Sequence, residues 1–189
     1  MRNDFPLPPN LPRPADDGAA SHLTGMPMPG ISLRATTGRF VNLAALPAPR
    51  TVIYCYPMTG VPAKPLPEGW DEIPGARGCT PQTCGFRDHH AEIANLGSDI
   101  FGLSTQTTEY QREMADRLRV PFEILSDGKF ELCDALRMPT FNVDGVRLLK
   151  RLTMIVRGGR IEHVFYPVFP PDENAEQVLR WLRGHSLTG

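Results

Sequence analysis

The stretch TVIYCYP, residues 51–57, is the strongest constraint on how this chain folds: it is β-branched and aromatic with almost no polar interruption. A strand of that composition is buried on both faces, so it needs neighbouring strands and a covering layer above and below. The rest of the sequence supplies both. SDIFGLST (98–105) and PFEILSD (121–127) read as further strands, and LTMIVRGGRIEHVFYPV (152–168) as two strands around a Gly158-Gly159 turn. ISLRAT and FVNL flank a TGR turn as a small N-terminal hairpin. Helices are expected over 80–96, with Phe86, Ile93 and Leu96 buried, and over 107–120, where Tyr110, Met114 and Leu118 recur every four residues. A short helix at 129–138 and a last one at 173–185, with Ala175, Val178, Leu179 and Leu182 on one side, complete the pattern.

Helix and strand alternate through the middle and an antiparallel hairpin with a helix follows, which predicts an α/β fold with a mixed central sheet flanked by helices. A cysteine placed where the first buried strand feeds a helix points, within that class, to the thioredoxin-like arrangement. The 189 residues suit one domain. Proline is the compositional anomaly, with 20 in the chain, seven of them before residue 31 and six from Pro57 to Pro81. Proline removes a backbone donor and restricts its neighbour, so both segments should be poor in regular structure. Residues 1–25 are therefore expected as a flexible lead-in to a domain spanning 26–189, and Met58–Gly78 as a long irregular loop, which in a compact domain usually serves function.

Several classes of function are disfavoured by composition. A net charge of -1 argues against a nucleic-acid binder, whose affinity comes from clustered cations. No apolar run is long enough for a membrane span, and the first residues lack the apolar stretch of a secretory signal, so a cytoplasmic location is expected. Metal is not expected, because Cys79 and Cys84 have four residues between them and no second ligand pair follows. No cofactor is implied either, since no glycine-rich dinucleotide fingerprint follows a strand. Cys55 and Cys133 stand alone in apolar surroundings and read as core residues.

The segment PGARGCTPQTCGFRDHH, residues 74–90, carries the chemistry. It places Cys79 at the start of a helix that Thr80 or Pro81 would open, since Thr is a good N-cap and Pro is favoured in the first turn. Unpaired amides and the positive end of the helix dipole both favour the ionised, nucleophilic sulfur there. Cys84 lies five residues on. If both belong to one helix, their Cα atoms are about 8–9 Å apart. A disulfide needs them within about 7 Å, so such a bond would form only if the first turns unwound.

GCTPQTCGFRD resembles the peroxidatic region of peroxiredoxins, and most closely the atypical two-cysteine subgroup called PrxQ or bacterioferritin comigratory protein, which has the same Cys-x4-Cys spacing. TVIYCYP, SDIFGLST, FEILSD and KRLTMIVRGGRI support the resemblance, which spans roughly residues 26–185. It implies a thiol peroxidase acting on hydrogen peroxide and organic hydroperoxides, with Cys79 as the peroxidatic cysteine and Cys84 as the resolving one. Their intramolecular disulfide would be reduced by a thioredoxin-type dithiol. Arg151 matches the family arginine that faces the sulfur, and Pro57 the proline that opens the Pro-x3-Thr-x2-Cys loop. Gly78 and Thr80, beside Cys79, complete the expected peroxide site. A monomer or weak homodimer is implied.

The chain also departs from that pattern. An insertion at 58–76, containing PAKPLPEGWDEIPG, separates Pro57 from Cys79, and Ala76 occupies the position of the family threonine. Thr59 could fold back to supply the missing hydroxyl; otherwise backbone amides must carry that task. The insertion could form a lid through Trp70. A redox-sensing or partner-binding module on the same fold is the alternative. A thiol–disulfide oxidoreductase would instead carry Cys-x2-Cys at the helix start.

Overall fold

The computed structural model describes residues 6–62 and 64–187, so the first five residues of the expected lead-in, Ala63 of the insertion and the last two residues lie outside it. The upstream hairpin forms from β1 (Ser32–Ala35) and β2 (Phe40–Asn42), and β3 (Arg50–Cys55) is buried at every position. Next come α1 (Cys79–Asp88), α2 (His90–Asn95), β4 (Ser98–Ser104), α3 (Thr108–Leu118), β5 (Ile124–Ser126) and α4 (Glu131–Leu136). The hairpin of β6 (Thr140–Val143) and β7 (Val146–Leu149) precedes that of β8 (Leu152–Arg157) and β9 (Arg160–Phe165), and α5 (Asn174–Gly184) follows.

Seven strands make one mixed sheet in the order β2-β1-β5-β4-β3-β8-β9. At its centre β3 pairs parallel with β4 and antiparallel with β8, so that Ile53 stands opposite Phe101 and Met154. The period of two along β3 divides the core. Ile53 and Cys55 join one cluster with Leu103, Met154 and Leu132 of α4. Val52, Tyr54 and Tyr56 join the other, with Phe86 of α1, Ile93 of α2, Met114 of α3 and Leu179 of α5. Helices thus cover both faces, and β3 fixes α1 directly. Tyr54 stacks on Phe86 at 4.4 Å between ring centroids, and its hydroxyl donates to Thr83 Oγ1 at 3.2 Å.

Three features differ from the sequence reading. The helix expected over 80–96 is two helices, because the backbone leaves helical values at His89 (φ −99, ψ 7), and Leu96 is half-buried rather than core. The β6–β7 hairpin was not anticipated, although it turns on Asp144-Gly145, a strong two-residue turn signal. The lead-in has little regular structure, as its prolines require, yet its second half packs on the domain: Leu23 is fully buried in the core and the Gly25 amide bonds to the Ile161 carbonyl. Asp17 anchors the same segment, pairing with Lys150 at 2.5 Å and accepting from the Tyr166 hydroxyl at 2.7 Å.

The insertion builds a small core of its own. Trp70, in a 3-10 turn (Trp70–Glu72), is buried with Ala76, Val143 and Leu148, and its ring lies 6.3 Å from that of Phe141 on β6. Trp70 is a packed anchor between the insertion and the β6–β7 hairpin, not the tip of an open lid.

Candidate active site

Cys79 is the first residue of α1, one position earlier than the expected Thr80 or Pro81 start. The N-cap is Gly78, with φ 106, a conformation that L side chains rarely adopt. Close packing also demands glycine here: a Cβ on Gly78 would lie 2.3 Å from Pro171 Cγ. Gly78 therefore sets both the turn into the helix and the distance between α1 and the chain leading into α5. It offers no side-chain cap, so the first turn of α1 faces an open cavity instead.

Arg151 meets the sulfur from the protein interior. Lying just before β8, it is 3% exposed, and its Nη2 lies 3.2 Å from Cys79 Sγ. The same guanidinium donates to the carbonyls of Gly75, Ala76 and Arg77 at 3.3, 3.0 and 3.1 Å, and Nη1 donates to Gln82 Oε1. The loop that replaces the family threonine is thus pinned by its backbone, and the Cys79 thiol donates to the Ala76 carbonyl at 3.7 Å.

Gln82 passes this network on. Its Nε2 donates to Asn174 Oδ1 at 2.9 Å, and Thr153 Oγ1 donates to the same oxygen at 2.7 Å. Gln82, Thr153 and Asn174 are all fully buried. Because Gln82 Oε1 accepts from Arg151, its amide nitrogen must face Asn174, and the donors run in order from Arg151 through Gln82 to Asn174 on α5. Sequence reasoning missed Gln82 and Asn174, which lie 92 positions apart and carry no periodic signal.

The other expected residues fall as follows. Thr59, Gly78 and Thr80 line the same cavity as Cys79, while Pro57 is buried just before Met58 and Thr59. The Thr59 hydroxyl donates to Gln106 Oε1 at 3.2 Å, and its carbonyl accepts from the Tyr110 hydroxyl at 2.9 Å, so this conformation holds it to α3 and the β4–α3 turn. Cys84 is buried on the Tyr54 side of the sheet. All four cysteines are thiols. Burial pushes the Cys133 thiol up to about 11 and raises that of Cys55 further, as expected for core residues.

A thioredoxin-like sheet presenting a helix-borne cysteine, with a buried arginine against its sulfur, defines a thiol-based redox protein. Over residues 23–179 the chain matches the Redoxin family, and it belongs to that family's peroxiredoxins, oxidoreductases that reduce peroxides. It is 30% identical over 164 residues to peroxiredoxin Bcp of Escherichia coli, covering 84% of this chain and 94% of that one. Peroxidoxin BcpB of Mycobacterium tuberculosis shares the fold with a TM-score of 0.69, at 24% identity and covering 85% of this chain and 96% of its own. So does the bacterioferritin comigratory protein of Xanthomonas campestris, whose structures concern alkyl peroxide reduction (TM-score 0.67, 23% identity, covering 82% of this chain and 91% of its own).

Proposed function

We propose that Cys79 is the peroxidatic residue of a two-cysteine thiol peroxidase, with Cys84 as its resolving partner and Arg151 as the group that activates both thiolate and peroxide. The observation that carries this reading is electrostatic. Arg151 is a buried cation, and no carboxylate among the described residues forms an ion pair with it. A buried charge needs polar partners, and of the five acceptors the guanidinium reaches, the Cys79 sulfur 3.2 Å away is the one able to act as a nucleophile.

Cys79 as thiolate attacks the terminal oxygen of R–O–O–H. The S–O bond forms as the O–O bond breaks, sulfur loses two electrons, and the leaving alkoxide or hydroxide takes a proton to depart as alcohol or water. Arg151 stabilises charge moving onto that oxygen. Gly78 and Thr80 bring first-turn amides to the peroxide, and Thr59 lines its entry; Pro57 sets the turn from β3 into that wall.

The resulting sulfenic acid condenses with the Cys84 thiol: the S–S bond forms, the S–O bond breaks, and water leaves. Both cysteines sit on the intact α1 at positions one and six, too far apart on an ideal helix, at about 8–9 Å, to be bridged directly. The first turns of α1 therefore unwind in each cycle. A thioredoxin-type dithiol then reduces the disulfide by exchange.

Single-turnover oxidation of the reduced protein by hydrogen peroxide is the test. Oxidation far faster than that of free cysteine, abolished in Cys79→Ser and arrested at the sulfenic acid in Cys84→Ser, supports the assignment. A rate no greater than that of free cysteine overturns it in favour of a redox-sensing module.

A further inference from the structure

Residues 6–17 cross the molecule as a strap, and the contacts that hold them fall on the parts that position Cys79. From its anchor at Asp17, on Lys150 and Tyr166, the strap runs to Arg13, whose guanidinium lies 5.5 Å from the centre of the Phe169 ring. Pro14 packs on Gly75, its Cγ 3.5 Å from where a Cβ would lie, and Leu7 Cδ2 is 3.1 Å from the corresponding point on Gly78. Lys150 precedes Arg151, and Phe169 precedes the Pro170-Pro171 pair that abuts Gly78. The strap thus bears on both ends of the loop whose carbonyls Arg151 holds, and on the chain leading into α5.

Its attachment differs from that of the chain that follows. Gly25, Met26 and Met28 share backbone hydrogen bonds with Gly159 and Ile161, and Leu23 is fully buried. Among the described residues, no backbone hydrogen bond joins 6–17 to the domain, so side chains alone hold the strap. Pro14 and Ala15 also roof a cavity of about 250 Å³ over Gly75, Arg151 and Tyr166, so the packing beneath them is incomplete. Five of the twelve residues are proline, which has no backbone donor, so docking and detachment exchange few hydrogen bonds. The segment is built to leave the surface and return.

Gly78 is the N-cap of α1, so it must move when the first turns unwind to bring Cys79 to Cys84. Leu7 rests on it, and the docked strap and the disulfide therefore oppose one another. We infer that residues 6–17 are a redox-gated strap: docked, they hold α1 wound and slow formation of the disulfide, and the disulfide in turn releases them. The inference rests on the two-cysteine reading above and adds a control to it, with no covalent step beyond those already given. The effect runs both ways, because a segment that binds the wound state better than the unwound one is bound less well once the helix has unwound. The docked strap leaves the sulfenic acid open for longer to a second peroxide, and only the oxidised protein presents a free proline-rich segment.

NMR relaxation of the Leu7, Leu11 and Arg13 amides, recorded on the dithiol and disulfide forms of the full chain, reads release directly. These amides are expected to be as rigid as the sheet in the dithiol and to gain fast motion in the disulfide, while Gly25 and Met28 stay rigid in both. The second measurement is the rate at which the sulfenic acid condenses with Cys84, in the native chain and in the double variant Arg13→Ala/Asp17→Ala. Both positions are exposed, so the variant loosens the strap without opening the core. It is expected to condense about fivefold faster, the low end for coupled sites. A strap equally rigid in both forms, or a condensation rate unchanged in the variant, overturns the inference. If peroxide yields no Cys79–Cys84 bond, the two-cysteine reading has failed along with it; if the bond forms beneath an immobile strap, the strap alone has.

Discussion

Arg151 and Cys79, 72 positions apart in the chain, meet inside the protein at 3.2 Å, and the guanidinium that touches the sulfur also holds the three carbonyls leading up to it. One side chain thus presents a positive charge to the sulfur and shapes the loop beside it. Arg151→Ala is expected to slow the first oxidation by about 10²–10³, the cost of losing an aligned charged donor in a desolvated site. Arg151→Lys should recover little, because a point charge cannot reproduce the planar fork that serves five acceptors. Stopped-flow oxidation by hydrogen peroxide decides this, and equal rates in the native and Arg151→Ala chains remove the residue from the mechanism.

Gln82 lies on α1 between the two cysteines, so its bond to Asn174 must break whenever the helix unwinds to let them meet. Asn174 touches neither sulfur nor arginine, which makes it the cleaner probe of this latch. Removing its acceptor oxygen costs the folded helix about 1–2 kcal/mol, raising the unwound fraction roughly five- to thirtyfold. In Asn174→Ala the sulfenic acid should condense with Cys84 faster, and less Cys79 should reach the irreversible sulfinic state under excess peroxide. Mass spectrometry of peroxide-treated protein measures both products. Unchanged sulfinate yield and unchanged condensation rate would show that the latch does not govern unwinding.

The framework was legible because its signals are local. The apolar run of β3, the four-residue recurrence in α3, the one-sided apolar face of α5 and the Gly158-Gly159 turn each read correctly from their own residues. The position of Cys79 at a helix start read from its own residues too, and the family resemblance pointed to Arg151, which lies 3.2 Å from its sulfur. What escaped was set by partners distant in sequence. The break at His89 has no glycine or proline to mark it. Trp70 could be placed only once the β6–β7 hairpin was known to pack against it. Gln82 and Asn174 are ordinary polar residues until the fold buries them together, and Leu23 looked like part of a loop until Met28 and Ile161 closed around the same core.

Gly78 gives a test of how tightly the cysteine's position is specified. Its φ of 106 costs any other residue about 1–2 kcal/mol, and the overlap with Pro171 adds about 1–3 kcal/mol. Gly78→Ala should lower the melting temperature by roughly 5–15 °C and slow Cys79 oxidation, since the helix start must shift. Gly38 supplies the control: its φ is +95, but nothing lies within 4 Å of its would-be Cβ. Gly38→Ala should therefore show the backbone cost alone. If the two variants melt together and react alike, packing against Pro171 does not position Cys79.

Four thiols in one chain raise the question of which react, and burial answers it for two. Cys133 is fully buried and its thiol is pushed up to about 11 by desolvation, although Arg147 Nη2 lies 3.5 Å from the sulfur and favours ionisation. Cys55, on β3, is raised further by the same cause. A raised thiol value means the protonated form prevails below it, so at pH 8 about one Cys133 in a thousand is ionised, and fewer of Cys55. Nucleophilic oxidation should thus pass these two by. Peptide mapping after one equivalent of hydrogen peroxide is expected to show Cys79 joined to Cys84, with Cys55 and Cys133 alkylated only after denaturation. A disulfide involving Cys55 or Cys133, or their labelling in the native chain at rates matching Cys79, would contradict the assignment of those two as core residues.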